Sequence, residues 1–116
     1  MKTISQKEFQ KAISSMYGNT TCFVYDEPSN RYQYASGEIN DDTLEPFFNA
    51  DRIEVEELED DSRVAAVMIE NWSKEFSPAN DVQDDNYVST IRNIFGEDSK
   101  LYVATNGEDT TYLLVY

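Results

Sequence analysis

Histidine is absent from the 116 residues, and cysteine occurs once. Without imidazole there is no Ser-His-Asp or Cys-His nucleophile, and no histidine is available as a metal ligand or general base. One thiol forms no intramolecular disulfide, and a single cysteine without histidine builds no zinc site. That residue, Cys22, stands between Thr21 and Phe23 in a β-prone run, where a buried inert thiol is the ordinary outcome. Only four glycines are present, and they form no phosphate-binding loop. No hydrophobic run approaches the ~18 residues of a membrane span. Residues 1–7 contain no apolar stretch, so no secretory signal is expected there, and the lone cysteine favours a reducing, cytoplasmic setting. Asn19-Thr20-Thr21 and Asn71-Trp72-Ser73 match the glycosylation pattern, but in that setting both matches read as chance.

Positive charge is also scarce. Nine Lys and Arg face 23 Asp and Glu, for a net charge of −14. Charge of this size opposes compaction, repels nucleic acid and anionic membranes, and attracts basic protein surfaces. The chain is nonetheless no disordered acidic tail, because 40% of it is apolar and eight Tyr, six Phe and one Trp are present. Tyrosine buries its ring while keeping its hydroxyl wet, which suits a thin core. The length fits one domain with one core, taken as residues 1–116.

Ser5-Gln6-Lys7-Glu8 reads as a capping box, with Ser5 as N-cap. Phe9, Ala12, Ile13, Met16 and Tyr17 then recur at helical spacing, and Gly18 supplies a left-handed stop. Thr21–Tyr25 and Arg31–Ala35 read as two strands about the turn Glu27-Pro28-Ser29-Asn30. Asp42-Thr43-Leu44-Glu45 resembles a second capping box, and Pro46 suggests a short helix over 44–49. Ile53 and Val55 alternate with Glu54 and Glu56, the pattern of a half-exposed strand over 52–57. Arg63–Ile69 fits a buried strand or a helix running to about Phe76, and its Val and Ile content favours the strand. Ser77-Pro78-Ala79-Asn80 is a breaker. Asp84 or Asp85 caps a helix carrying Tyr87, Val88, Ile91, Ile94 and Phe95, which Gly96 ends. Asn106-Gly107 then joins Leu101–Ala104 to Tyr112–Tyr116 as a hairpin. The expected fold is an α+β domain: a largely antiparallel sheet of hairpins with two to three helices on one face. A C-terminal strand at the sheet edge would be open to pairing with a second copy. The oligomeric state is not legible from the chain.

The acids are unevenly distributed. Residues 38–61 hold eleven acids and one base, Arg52, for a net −10, whereas residues 1–37 sum to +1 and residues 62–116 to −5. Phe47, Phe48, Ile53 and Val55 keep their pattern inside the acidic stretch, so it is expected to be folded. Glu54 and Glu56 would share a strand face about 6.7 Å apart, comparable to the spacing of successive phosphates along a nucleic-acid strand. Glu57, Glu59, Asp60 and Asp61 would extend that row. Asp41, Asp42 and Glu45 would begin the adjoining helix, where the dipole favours negative charge. These nine carboxylates are the expected partner-binding residues, facing the Lys and Arg groups that otherwise neutralise phosphates. No EF-hand pattern is present, since Asp81–Asn86 lacks the Gly and the spacing such a loop needs. A carboxylate pair for glycoside chemistry proves nothing among so many acids. No catalytic residue, metal or cofactor is expected.

In small size, acidity and lack of catalytic groups, the chain resembles the DNA-mimic inhibitors that phages and mobile elements direct against restriction, CRISPR or repair enzymes. It resembles, to the same extent, immunity proteins that plug the basic active sites of nuclease toxins. Either likeness implies a non-catalytic inhibitor that binds a basic, nucleic-acid-binding protein and contacts neither nucleic acid nor membrane directly. The plainer alternative is a housekeeping adaptor or structural protein whose acidic face only keeps it soluble.

Overall fold

The first helix begins where the capping pattern places it. In the computed structural model, the Glu8 N–H donates to Ser5 Oγ at 3.1 Å and the Ser5 N–H donates to the Glu8 carboxylate at 3.3 Å. The structure describes residues 2–18, 22–26, 31–56 and 96–116, together with Ala66, Glu70 and Arg92; for 22–26 and 31–37 it describes the backbone. Helix α1 spans Gln6–Ser14. Phe9 and Ile13 are buried and Met16 is half-buried, while Ala12 and Tyr17 are exposed. The apolar face is therefore narrower than its spacing suggests. The helix also stops earlier, because the chain tightens at Met16 N–H to Ile13 C=O (2.9 Å), and the Gly18 N–H leaves to bond Ile39 C=O at 2.8 Å. Gly18 takes φ +87°, in the left-handed region open to glycine.

Strands β1 (Lys2–Ile4), β2 (Cys22–Asp26), β3 (Arg31–Gly37), β4 (Arg52–Glu56), β5 (Lys100–Asn106) and β6 (Asp109–Val115) form one sheet in the order β1-β4-β5-β6-β2-β3. Every neighbouring pair is antiparallel. Helix α2 spans Asp41–Phe48. The β2–β3 and β5–β6 hairpins appear where the turn residues place them. The first carries register shifts between Cys22, Val24 and Tyr25. The second closes on Gly107 at φ +59°, with Asn106 paired to Asp109.

Three expectations are corrected. The C-terminal strand is not an edge: β6 lies between β5 and β2, and among the described residues the edges are β1 and β3. Strand β4 does not pair with the segment that follows it. Its neighbours are β1, with Thr3 opposite Glu54, and β5, with Glu54 opposite Val103. The strand favoured over 63–69 fails at Ala66, which is helical, as is Glu70 four residues on. Ala and Glu are both strong helix formers. The other residues of that run, and of the run 84–95, lie outside the described residues except Arg92. Arg92 is helical, and its carbonyl accepts the Gly96 N–H at 2.9 Å with Gly96 at φ +109°. This is a left-handed glycine stop at the expected residue.

The core lies between the two helices and one face of the sheet. Phe9, Ile13, Ile39, Leu44 and Phe47 pack on Ile53, Tyr102, Ala104, Leu113 and Val115. The Phe9 ring stacks on Phe47 (centroids 5.0 Å apart) and meets Tyr102 edge-on at 5.3 Å. Antiparallel alternation sends Leu101, Val103, Tyr112 and Leu114 to the opposite face, and these are buried as well. The result is an α+β fold with α1 and α2 on one face of an antiparallel sheet.

Candidate functional site

Helix α2 starts two residues earlier than the Asp42-Thr43-Leu44-Glu45 pattern suggests. Asn40 is the N-cap: its side chain accepts the Thr43 N–H at 3.0 Å, and Thr43 Oγ1 accepts the Asn40 N–H at 3.0 Å. The Thr43 hydroxyl is buried and donates to Glu38 C=O at 2.9 Å, which fixes the entry of the chain. Thr43 does at the third helical position what Glu or Gln does in the commoner form of the box. The shift moves Asp41 and Asp42 into the first turn, where the helix dipole favours a carboxylate by about 0.3–1 kcal/mol each. Pro46 therefore falls inside the helix, beyond its first turn. The N–H it lacks would have bonded the Asp42 carbonyl, and Asp42 is exposed, so water can take that acceptor's place.

One side of α2 carries Asp41, Glu45 and Phe48, at helical intervals of four and three. Asp41 Oδ1 accepts the Tyr17 hydroxyl at 3.1 Å. Partial burial, followed by that hydrogen bond and the Asp41 charge, raises the Tyr17 phenol above its ordinary value. At the other end of the helix pair, the Gln6 side-chain amide donates to Phe47 C=O. The helices are thus antiparallel neighbours, and a groove lined by Gln10, Ile13, Ser14, Tyr17 and Phe48 runs between them.

The carboxyl end of α2 is tied to the β5–β6 turn. Asn106 Nδ2 donates to Pro46 C=O at 3.2 Å, and the Gly107 N–H donates to Asp51 Oδ2 at 3.0 Å. These bonds hold the β5–β6 turn, with exposed Glu108 and Asp109, against the carboxyl end of α2 and Asp51, while Glu38, Asp41, Asp42 and Glu45 are exposed along the helix and its approach. No Lys or Arg occurs in 38–51 or 106–109. Glu38, Asp51, Glu108 and Asp109 were not among the expected site residues. Glu38 and Asp51 flank α2 in sequence, whereas Glu108 and Asp109 come beside its carboxyl end through bonds of Asn106 and Gly107 that span 60 and 56 positions, and no local pattern announces contacts of that range.

Glu54 and Glu56 lie elsewhere. Ile53 and Val55 point to the helices, so Glu54 and Glu56 point to the opposite sheet face, beside Thr3, Leu101 and Val103. They share that face as expected, but both are half-buried. Glu54 is 15% exposed and accepts from Arg52 Nε at 3.1 Å. The structure therefore brings Asp41, Asp42 and Glu45 together and places Glu54 and Glu56 across the sheet from them. Glu57, Glu59, Asp60 and Asp61 lie outside the described residues.

A larger cavity, of about 800 Å³, opens at the far end of the sheet. Its floor includes Met16, Val55, Tyr102 and Val115, and Lys2 and Lys100 stand among its lining. Among the described residues no group of three or more carboxylates or thiols is arranged to hold a metal ion. No helix there is long and apolar enough to cross a membrane. Compared with family models, with curated proteins and with solved structures, the chain finds no match in any of the three.

Proposed function

We propose that this protein acts without catalysis, as an acidic decoy that occupies the basic, nucleic-acid-binding surface of another protein. The supporting observation is the run of exposed carboxylates along α2 and its flanks, joined at the helix's carboxyl end by those of the β5–β6 turn, with no base in residues 38–51 or 106–109. Regular structure and long-range hydrogen bonds hold these charges in place, so little ordering entropy is spent when a partner arrives. A basic groove meeting this face gains steering and register from charge complementarity. The recognition set is accordingly centred on Asp41, Asp42 and Glu45, extended by Glu38, Asp51, Glu108 and Asp109. Glu54 and Glu56 belong to the other face of the sheet.

The test is retention of proteins from nuclease-treated lysate on the immobilised full chain, over a rising salt gradient. Nuclease removes capture through bridging DNA. Basic nucleic-acid-binding proteins should be retained and should elute as the Debye length falls below about 8 Å, near 0.15 M salt and above. The triple variant Asp41→Asn, Asp42→Asn, Glu45→Gln should release them at lower salt. Equal retention by the variant and the wild type, or a retained set without basic proteins, would refute the reading.

A further inference from the structure

We infer that the groove between α1 and α2 receives an arginine side chain of the basic partner, with Tyr17 as the stacking surface and Asp41 as the carboxylate anchor. The inference rests on the acidic-face reading and names the contact that would give it specificity. Among the described residues Tyr17 is the one large hydrophobic side chain left exposed, at 41%. Its position is fixed by the bond from its hydroxyl to Asp41 Oδ1. Beside it the groove has a volume of about 370 Å³, with buried Ile13 as its floor and half-buried Phe48 as its far wall. A trough with Ile13, Tyr17 and Phe48 in its walls, Gln10 and Ser14 among its lining and the Asp41 carboxylate bonded to Tyr17 is mismatched to an acidic or wholly apolar occupant. It matches a side chain with an apolar stem and a cationic tip.

Arginine fits better than lysine for two reasons of geometry. A planar guanidinium can lie against the Tyr17 ring and still direct its N–H fork at a carboxylate in the same plane, whereas an ammonium is a strongly hydrated point charge with no fork. Asp41 gives one oxygen to Tyr17 and keeps Oδ2 for the incoming fork. Glu45 stands exposed one turn along the same side of α2. The stem would then lie along half-buried Phe48, over a floor that Ile13 already closes.

The experiment uses the full chain with nona-arginine and nona-lysine peptides of equal length and charge, read by fluorescence anisotropy at about 0.15 M salt. Bulk charge attracts both peptides, and the part of the arginine preference that Tyr17→Ala removes isolates the groove. Nona-arginine should bind the wild type about fivefold more tightly, the size of one exposed cation–π contact. Tyr17→Ala should abolish that preference and leave nona-lysine binding unchanged. Tyr17→Phe, which keeps the ring and loses the hydroxyl, should retain most of it. Tyr17 is exposed, so these variants should fold, and circular dichroism checks that they do. Equal affinity of the two peptides for the wild type would overturn the groove assignment, as would Tyr17→Ala weakening both by one factor, and in either case the acidic-face reading stands. If neither peptide responds to Asp41→Asn, Asp42→Asn, Glu45→Gln, the acidic face is not the binding surface and both readings fall.

Discussion

Replacing Phe9 by Ala tests the joint on which the helical layer depends. The Phe9 side chain is fully buried and touches aromatic rings of two other elements, Phe47 on α2 and Tyr102 on β5. Phe→Ala in a core costs about 3–5 kcal/mol, more where the cavity cannot collapse. Here the walls belong to two helices and a sheet, which cannot all close on one void, so the upper part of that range applies. Alanine is the better helix former by about half a kcal/mol, which offsets a little of the loss. The net expectation is a destabilisation of about 4 kcal/mol. A chain of this length has a total stability of roughly 6–17 kcal/mol, so the loss is a large share of the whole. With an unfolding entropy near 2.1 cal/mol/K per residue, it lowers the melting temperature by about 16 °C. Urea unfolding followed by circular dichroism should show the midpoint falling at unchanged slope. Phe9→Leu keeps most of the buried area and forfeits the stacking, and should lose about 1–2 kcal/mol. A loss below about 1 kcal/mol for Phe9→Ala, or an equal loss for Ala12→Ser at an exposed position of the same helix, would show that α1 does not pack as described.

Asn40→Ala removes the α2 cap and leaves the Thr43 N–H without its acceptor, so it should cost about 1 kcal/mol in thermal unfolding, while Asn40→Asp should cost far less. Gly107→Ala has open space for its Cβ but must hold φ +59°, so it should lose about 1–2 kcal/mol from backbone strain alone, and Gly107→Asn should lose less. Burial raises the Tyr102 phenol above its ordinary value of 10.0. Its folded pKa therefore exceeds its unfolded one, and the associated stability is complete below pH 10 and is lost as pH climbs through the folded value. Urea midpoints should fall over that alkaline range, and Tyr102→Phe should flatten the decline.

Local pattern carried the reading where structure is local and failed where it depends on distant partners. Ser5 and Glu8 announce α1 because both halves of the capping box lie within one turn, and Asn106-Gly107 announces a hairpin because the turn conformation is set by its own residues. Lys2–Ile4 gives no such notice. Three residues show no period, and β1 exists because β4 offers Val55, Glu54 and Ile53 as partners. The pairing of β4 with β5 closes more than forty residues of chain, so a reading that joins neighbouring strands assigns it the wrong neighbour. At Asn40, the box was hidden because Thr43 replaces the expected Glu or Gln, and the second-best match, Asp42 with Glu45, drew attention instead. The same contrast governs the candidate site. Composition located the acidic stretch, and alternation placed Glu54 and Glu56 on one face. Whether α2 covers that face is decided by Ile53 and Val55, which pack towards the helices and leave Glu54 and Glu56 on the opposite one.

The carboxylates divide by what holds them, and the division bears on function. Glu8 closes a capping box, Asp41 accepts from Tyr17, Asp51 accepts the Gly107 N–H and Glu54 pairs with Arg52. Each of these returns a local hydrogen bond for the charge it adds. Glu38, Glu45, Glu108 and Asp109 stand exposed at the surface, and among the described residues no such bond joins their carboxylates to the fold. Their charges add repulsion to a chain already at −14 and give the isolated fold little in exchange. Asp42 falls between the two groups, since the α2 dipole compensates it in part. A basic partner removes the repulsion that the unbonded group creates, and any ligand that binds only the folded form stabilises it by mass action. Stability and binding thus draw on the same side chains in opposite senses. Glu45→Gln should strengthen the free protein and weaken the complex, whereas Asp51→Ala should weaken the fold by removing the acceptor of the Gly107 N–H.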